Sequence, residues 1–215
     1  MAKAGRRSSS TTRTKKGETR HRVIRAAFDT LRAKGFAGSS ARAIAATGGF
    51  DQALVFYYFG SVTDLLLAAL AASSAEQLGQ YEDALAEVDS LGALFAAVAA
   101  RLESDMASGH VKVLAELVGA SAGDRRLADA VGAMVDPWLA LTERTMQRIL
   151  GGSGLGSLVS ANQLAFVIVA LFLGVELLVN LKGDASSVKA LFESGSRISG
   201  LFDGSSSSPF ETVAT

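Results

Sequence analysis

The chain contains no cysteine among its 215 residues. This absence excludes a disulfide framework, a thiolate nucleophile and any metal site built on sulfur. The two histidines, His21 and His110, lie far apart in the sequence, and neither has a partner at the spacing of metal ligands. We therefore expect no metal and no cofactor. The sequence also lacks a recognisable nucleophile–base pair, which argues against an enzyme.

Signals for export or membrane insertion are also lacking. The N-terminal charges are followed by no apolar stretch, so we expect no signal peptide. The longest apolar run, Ala165 to Val175, is shorter than the roughly 20 apolar residues that a bilayer span requires. We predict that this run is a helix buried in a core or an oligomer interface. We expect a cytoplasmic protein with no membrane partner.

Charge is balanced over the whole chain but strongly separated along it. Residues 1–60 hold 12 Lys or Arg and 3 Asp or Glu, a net charge of +9. Residues 61–215 hold 9 and 18, a net charge of −9. A basic N-terminal part can bind phosphates, whereas the acidic remainder is poorly suited to nonspecific contact with nucleic acid.

Both ends of the sequence are polar and have no apolar pattern. Residues 1–17 are rich in Ser, Thr, Arg and Lys, and residues 204–215 are rich in Ser. With little to bury, both ends are predicted to be disordered. For the basic arm, residues 1–17, two roles stay open: solubility alone, or contact with DNA phosphates or the minor groove.

Residues 35–67 have the pattern of a helix-turn-helix, in which short helices are separated by tight turns. Ser39 and Ser40 are suitable N-caps for a first short helix. The pair Gly48 and Gly49 then breaks that helix, as a tight interhelical turn requires.

A second short helix follows, and it is loaded with aromatic residues. Asp51 is suited to cap a helix from Gln52 to about Tyr58, and Gly60 ends it. Ser61 and Asp64 then form a capping box that opens a third helix. A short aromatic helix held between two tight turns is typical of a DNA recognition helix.

The stretch from Thr19 to Leu67 resembles the DNA-binding domain of the TetR family of bacterial transcriptional regulators. The positions that carry the resemblance are Thr19-Arg20, Ala26-Ala27-Phe28, Gly35-Phe36, Ser39-Ser40, Arg42, Ile44-Ala45, Gly48-Gly49-Phe50, Val55-Phe56-Tyr57-Tyr58-Phe59, Ser61 and Asp64-Leu65-Leu66. Two positions depart from the family pattern. Val62 stands where the family usually has a lysine, and Tyr58 stands where it usually has a histidine.

A recognition helix reads bases in the major groove with its first turn. The Gln52 amide suits adenine, and Ala53 and Leu54 suit a thymine methyl group. The resemblance implies that hydroxyl groups and cations around them contact phosphates. The DNA contacts that we predict are Ser39, Ser40, Arg42, Asp51, Gln52, Ala53, Leu54, Tyr57, Tyr58 and Arg20. The residues of the recognition helix that we assign to the core are Val55, Phe56 and Phe59.

The rest of the chain has helical periodicity, and nothing in it resembles an array of strands. The predicted helices outside the helix-turn-helix cover about 19–34, 63–79, 91–107, a short segment with Val111, Leu114 and Val118, 124–149, 162–181 and 186–202. Pro137 is predicted to bend the helix that begins at Asp124. We therefore expect an all-α protein, with a helix-turn-helix domain at 18–64 and a helical ligand-binding and dimerisation domain at 65–203.

The resemblance also implies a homodimer and a small-molecule ligand. The predicted dimer-interface residues are Val169, Leu173, Glu176, Leu177, Asn180 and Leu191. The predicted pocket residues, in a largely apolar site, are His110, Leu114, Trp138 and Leu141. Glu176 and Asn180 have three open interpretations, which are a hydrogen bond across an interface, a pocket wall and, as the favoured one, solvent exposure.

These features predict a sequence-specific transcriptional regulator, in particular a repressor that a small molecule releases from a palindromic operator. A nonspecific or architectural DNA-binding protein is the main alternative, and a helical enzyme is a weaker one.

Overall fold

A computed structural model describes residues 7–151 and 160–182, together with residues 190 and 194, and for residues 7–14 it describes the backbone alone. This part of the chain is helical and contains no strand, which confirms the all-α prediction. Its helices are α1 (Arg7–Lys34), α2 (Ala41–Gly48), α3 (Ala53–Phe59), α4 (Val62–Leu85), α5 (Leu91–Ser108), α6 (His110–Ala120), a 3-10 turn (Ser121–Gly123), α7 (Arg125–Ala133), α8 (Asp136–Gly151) and α9 (Ala161–Lys182).

The chain divides into two compact units. The head unit comprises residues 1–75 and 112–134, and the body unit comprises residues 76–111 and 135–215. The sequence predicted a DNA-binding domain that ends at residue 64. The head unit is larger because it also includes the first part of α4, most of α6 and all of α7.

The head unit has an aliphatic core built from both of its segments. The buried residues of this core are Val23, Ile24, Ala26, Ala27, Leu31, Ile44, Val55, Leu65, Leu66, Ala69, Leu70, Val113, Leu117, Leu127 and Val131. The short helices α2 and α3 offer little apolar surface to α1, so the apolar faces of α6 and α7 complete the burial. On α1, the residues Ile24, Ala27 and Leu31 are buried on one face of the helix.

Helix α1 begins at Arg7, so the structure places residues 7–17 in a helix where the sequence predicted a disordered arm. Extending an existing helix costs far less than starting one, and the buried part of α1 supplies the start. The Thr19 hydroxyl donates to the Lys15 backbone oxygen at 2.9 Å within this extension. The first six residues lie outside the described part.

The predicted helix 124–149 is in fact two helices, α7 and α8. Asp124 caps α7 as expected, and its carboxylate accepts a hydrogen bond from the Leu127 backbone N–H at 3.1 Å. Pro137 lies in the first turn of α8 and not at a bend within one helix. Proline is favoured there because the first backbone N–H groups of a helix have no partner within it.

The body unit has a core that mixes apolar and aromatic residues. Tyr81, Leu85, Val88 and Leu141 are buried in it, and Trp138 is one of the half-buried side chains that pack against them. Tyr81 and Leu85 belong to α4, which runs beyond its predicted end near residue 79. These six extra residues supply part of the core of the body unit.

Helix α9 is long and apolar enough to cross a membrane, by length and composition alone, with a mean hydropathy of 2.5 over an 18-residue window. Helices α3 and α4, which meet at 70°, are long and apolar enough only if the bent pair is counted as one span. The apolar run 165–175 is by itself too short for a span, whereas α9 extends beyond it at both ends and has 22 residues. The predicted helix 186–202, with Leu191, and the tail 204–215 lie outside the described residues, apart from residues 190 and 194.

Candidate functional site

Local capping fixes the start and the end of α2. The Ser40 hydroxyl accepts a hydrogen bond from the Ala43 backbone N–H at 3.2 Å. At the other end, Gly49 has φ 64° in the left-handed region, and its N–H bonds to the Ala45 oxygen. Only glycine adopts this conformation without a steric penalty, so the predicted glycine turn is confirmed.

Gly48, the neighbour of Gly49, is required for a different reason. A Cβ atom there would lie 2.7 Å from the Ala26 Cβ of α1 and 2.2 Å from the Phe50 ring. The absence of a side chain at Gly48 lets the turn between α2 and α3 pack closely on α1. The tilt of α3 therefore depends on this contact as well as on the turn.

Helix α3 is held by polar groups on both sides. The Asp51 carboxylate accepts from the Ala53 backbone N–H at 2.7 Å, and α3 ends at Gly60. The Ser61 hydroxyl then accepts from the Asp64 backbone N–H at 3.0 Å and donates to the Asp64 carboxylate at 2.7 Å. The capping box predicted at the start of α4 is thereby confirmed.

The exposed face of α3 is rich in side chains suited to DNA contact. Gln52 and Ala53 are exposed, Tyr57 is 67% exposed and Phe56 is 53% exposed. Val55 is fully buried, as predicted, whereas the assignment of Phe56 to the core is wrong. In a seven-residue helix, adjacent positions differ by about 100° in direction, so Phe56 turns outward when Val55 turns inward.

Three of the predicted DNA contacts are buried or half-buried in the head unit. Ser39 is only 3% exposed, and its hydroxyl donates to the Gly35 backbone oxygen at 2.7 Å, so it stabilises the end of α1. Leu54 packs partly buried against the head core. Tyr58 is also half-buried there, and its ring meets Tyr57 edge-on at 4.9 Å. The other seven predicted contacts are exposed: Ser40, Arg42, Asp51, Gln52, Ala53, Tyr57 and Arg20.

Cations of α1 lie against the aromatic rings of the helix-turn-helix. The Lys16 ammonium is 5.5 Å from the Tyr57 ring centroid, and the Arg20 guanidinium is 5.0 Å from that of Phe59. Arg22 lies 5.8 Å from the Phe50 ring. Lys16 belongs to the basic arm, for which contact with DNA stayed open. Arg22 was not among the predicted contacts, although its positive charge at helical spacing was a usable signal.

A second candidate site is a polar cluster inside the body unit. The Tyr81 hydroxyl donates to the Asp105 carboxylate. Arg101 donates to the same carboxylate at 3.3 Å and to the Gln80 side-chain oxygen at 2.5 Å, and it lies 4.7 Å from the Tyr81 ring centroid. Burial raises the pKa of Asp105, although its bonds to Tyr81 and Arg101 oppose this rise.

Aromatic rings form the wall beside this cluster. The Tyr81 ring lies 5.5 Å from that of Trp138 and 6.0 Å from that of Phe172. His110 lies 6.3 Å from Trp138, and its burial lowers the pKa of its imidazole to about 4. His110, Trp138 and Leu141 thus lie in the body unit, as the predicted pocket requires.

The fourth predicted pocket residue, Leu114, does not belong with the other three. It packs against the core of the head unit. The inward face of α6 follows Val113 and Leu117, so the predicted face with Leu114 and Val118 was rotated, and Val118 is 52% exposed. Leu114 packs in the head unit and is not part of the ring cluster, which consists of Tyr81, Trp138 and Phe172.

Glu176 does not lie at the surface of the chain. It is 2% exposed, and its Oε1 atom has no hydrogen-bond partner in the described structure. Burial raises the pKa of its carboxyl to about 8, and the nearby Asp105 adds to this rise. The prediction of solvent exposure is therefore wrong for Glu176, whereas its assignment to a dimer interface stays a prediction. Asn180 is exposed, and its amide donates to the Glu176 backbone oxygen at 3.4 Å.

The face of α9 opposite Glu176 is exposed and apolar. Its large exposed side chains, between 42% and 74% accessible, are Phe166, Val167, Leu171, Leu177, Leu178 and Leu181. Val169 and Leu173, which were predicted for the dimer interface, are only half-buried, whereas Leu177 is on the exposed face. A contiguous apolar surface of this kind normally indicates an interaction site.

Comparisons with known proteins agree with this geometry. Residues 23–69 match the family model for bacterial regulatory proteins of the tetR family. No curated protein sequence matches the chain.

Several solved structures share the fold. A member of the TetR family from Streptomyces coelicolor A3 is similar, with a TM-score of 0.60, 23% identity, and 82% of this chain and 96% of that chain covered. The transcriptional regulator FadR from Bacillus subtilis, in complex with stearoyl-CoA, has a TM-score of 0.66, 13% identity, and coverage of 83% and 96%. The multidrug binding protein EbrR, complexed with imidazole, has a TM-score of 0.57, 22% identity, and coverage of 82% and 93%.

The family match covers the capped helices that carry the exposed face of α3. The solved structures extend the likeness in fold over most of the chain. Residues 23–69 thus match the family model for bacterial regulatory proteins of the tetR family, and the chain has the fold of solved TetR-family transcriptional regulators.

Proposed function

We propose that this protein is a homodimeric repressor that binds a palindromic DNA operator and leaves it when a small molecule binds the body unit. The observation that carries the proposal is the exposed face of α3, which the Asp51 carboxylate holds at its start and Gly60 ends, in a head of tetR-family type. Such a regulator acts on chromosomal DNA, so we place it in the cytoplasm.

The DNA-binding part of the proposal rests on the chemistry of the exposed head residues. Gln52 lies at the start of α3, where a side chain enters the major groove first. Its amide can bond to adenine N6 and N7 together, and Ala53 offers apolar contact to a thymine methyl group. Tyr57 and Arg42 are exposed and suited to phosphates. Phe56 has no hydroxyl, so it supplies apolar contact only.

The dimer part rests on the exposed face of α9. A helix with large aliphatic and aromatic side chains on its outer face is costly to leave in water, at about 25 cal/mol per Å² of apolar surface. A second copy of the chain provides a matching apolar face by two-fold symmetry. Two recognition helices related by this symmetry would read the two halves of a palindrome.

The ligand part rests on the body unit and on two similar structures. FadR was solved with stearoyl-CoA and EbrR with imidazole, and both have the fold of this chain. The ring cluster of Tyr81, Trp138 and Phe172 offers an apolar wall of the kind that small-molecule sites use. A ligand that prefers one arrangement of the dimer shifts the population away from the DNA-bound one.

The test is selection of bound duplexes from random DNA by the purified full-length protein. We expect a palindrome whose half-site centres lie about one helical turn of 34 Å apart, or a multiple of that. Gel shifts should show at least about 1,000-fold preference for this duplex over a scrambled one. Equal binding of both duplexes would favour the nonspecific or architectural alternative and would contradict the proposal.

A further inference from the structure

The interior of the body unit contains one acidic group more than its described basic partners neutralise. Arg101 and Asp105 pair at 3.3 Å, and the Tyr81 hydroxyl satisfies the second Asp105 oxygen. Glu176 has no ion pair in the described structure, although it is 2% exposed. A buried carboxyl without partners destabilises a fold, so an unbalanced one in a polar cluster is a candidate for ligand binding.

Glu176 faces the same interior as the aromatic wall. Phe172 lies one turn before it on α9, and the Phe172 ring contacts Tyr81. The Tyr81 hydroxyl also bonds to Asp105, and the negative charge of Asp105 contributes to the raised pKa of Glu176. A polar atom that lacks a partner therefore lies in the same interior as three rings, Tyr81, Trp138 and Phe172.

The chemistry of these groups selects the ligand. Carboxyl oxygens accept hydrogen bonds from N–H donors, and aromatic faces attract a cation or stack on a ring. We propose that the body unit binds a ligand with a basic nitrogen on an aromatic or apolar frame, with the nitrogen donating to Oε1 of Glu176. This inference rests on the proposed ligand-responsive function and specifies its ligand class.

An anionic ligand is the competing class. The Arg101 Nε atom is also buried without a hydrogen-bond partner in the described structure, and an anion would be attracted to it. Arg101 is already neutralised by Asp105, however, whereas no described cation neutralises Glu176. The charge balance therefore favours the basic ligand, and an anionic probe, phenylbutyrate, tests the competing class.

Proton release distinguishes the two classes. With its pKa raised to about 8, the carboxyl of Glu176 is protonated at neutral pH in the empty site. A protonated amine displaces that proton, so its affinity should rise up to about tenfold per pH unit between pH 6 and 8. An acceptor ligand would instead keep the proton and lose affinity as the pH rises.

Other titratable groups around Glu176 do not reproduce this dependence. His110 has a pKa lowered to about 4 and stays neutral in that range. Burial raises the pKa of Tyr81. The Asp105 carboxylate forms an ion pair with Arg101 and accepts a hydrogen bond from the Tyr81 hydroxyl. On α8, Arg144 bonds to Glu82 and Arg148 bonds to backbone oxygens of α4 and the following loop.

Trp138 is the only tryptophan of the chain, so its fluorescence reports binding at the ring cluster. The experiment titrates the full-length protein with three probes that share one frame: phenylbutylammonium, phenylbutanol and phenylbutyrate. We expect the ammonium probe to bind at least about tenfold more tightly than the other two at pH 8. Calorimetry in two buffers of different ionisation enthalpy should show proton release at pH 7. Equal or tighter binding of phenylbutanol or phenylbutyrate would overturn the inference.

Glu176→Gln keeps the shape of the side chain and removes its charge. This variant should lose about tenfold or more in affinity for the ammonium probe, together with the pH dependence. Glu82→Gln, an exposed position on α4, is the matched control and should bind as the wild type does. If Glu176→Gln melts as a folded protein and still binds the ammonium probe with the wild-type pH profile, the inference fails.

A gel shift on the selected operator separates this inference from the proposed function. If the ammonium probe binds through Glu176 but leaves the DNA complex intact, ligand release fails while the site stands. If phenylbutyrate or phenylbutanol releases the operator instead, ligand release stands and the basic-ligand inference is overturned.

Discussion

The interiors of the two units treat buried polar groups differently. In the head unit, the buried hydroxyls of Thr30 and Ser39 both donate to backbone oxygens, at 2.7 Å each. In the body unit, Glu176 and Arg101 each have a buried polar atom without a partner in the described structure. Buried polar groups with hydrogen-bond partners fix one arrangement of a core. A buried polar group without a partner is stabilised only when a bound ligand supplies one. The difference is consistent with a head that holds one shape and with the ligand response proposed for the body unit.

The surfaces of the two units differ in the same direction. The exposed rings of α3 lie near cations of α1, in a mixed polar and aromatic surface suited to DNA. The exposed face of α9 is apolar, with Leu181 74% and Phe166 65% accessible. The first surface is suited to a charged partner, and the second to another apolar face. Five changes in the two units test these contrasts.

A charge on the outer face of α9 should have the largest effect. Leu178→Glu places a carboxylate in the proposed dimer interface, where an unpaired buried charge costs several kcal/mol. Sedimentation velocity should show monomers, and operator affinity should fall with the loss of the dimer. Gln163→Glu, at an exposed polar position of the same helix, is the control. An unchanged dimer in Leu178→Glu would place the interface elsewhere, and recovery from the membrane fraction would indicate a membrane role for α9.

The pH dependence of stability should come largely from Glu176. Its pKa is about 8 in the folded protein and 4.5 ordinarily, so the folded state keeps the proton to higher pH than the unfolded chain does. The stability present below pH 4.5 is therefore lost as the pH rises through about 8, by a few kcal/mol at 1.36 kcal/mol per pKa unit. Denaturant unfolding of the ligand-free protein at several pH values measures this loss.

Glu176→Gln should largely remove this loss and be more stable than the wild type at pH 8. His110 acts in the opposite sense, because its pKa falls from 6.5 to about 4 on burial. Its contribution is present above pH 6.5 and disappears as the pH falls through about 4. A wild-type stability that stays level between pH 5 and 8 would show that Glu176 is not desolvated.

The bond between Glu116 and Phe36 should be a sizeable link within the head unit. The Glu116 carboxylate of α6 accepts from the Phe36 backbone N–H at 2.8 Å, just after α1. Glu116→Ala removes the acceptor, so we expect a loss of about 1–3 kcal/mol in the unfolding free energy. Glu116→Gln retains an acceptor oxygen and should lose less. Equal losses for Ala and Gln, measured by denaturant unfolding, would show that charge and not the hydrogen bond matters.

Base reading by the head unit should depend on Gln52. Gln52→Ala should weaken binding to the selected operator by about 1–3 kcal/mol per affected base pair and leave scrambled DNA unaffected. Asp51→Ala is a comparison in which the loss of the α3 cap should weaken both duplexes. Gel shifts or fluorescence anisotropy at fixed salt provide the measurement. A parallel loss on both duplexes for Gln52→Ala would exclude it as a base-reading residue.

The smallest effect should come from Lys16, in the helical extension of α1. Its ammonium lies near the Tyr57 ring, an exposed contact of about 0.5–1 kcal/mol. If it also contacts a phosphate, Lys16→Ala should reduce the slope of log affinity against log salt by about 0.9 per subunit. Lys34→Ala, at the other end of α1, is the control. An unchanged salt slope would leave Lys16 with a structural role only.

The sequence alone determined the local structure of the head unit. The N-cap Ser40, the turn at Gly49 and the capping box of Ser61 and Asp64 were all predicted correctly. Each depends on bonds within four residues or on a backbone angle that only glycine adopts easily. The same local order carries the match of residues 23–69 to the tetR family, so the fold class and this family match were predictable.

Tertiary structure decided which side of a helix faces inward. Helix α9 is apolar almost all round, so its sequence has no periodicity to show that Glu176 is buried and Leu178 exposed. Helix α3 is too short for its sequence to show which side faces inward. Because Val55 packs in the core of the head unit, Phe56 faces outward. Only contacts between segments distant in the sequence settle such choices, because burial is a property of the assembled fold and not of the local chain.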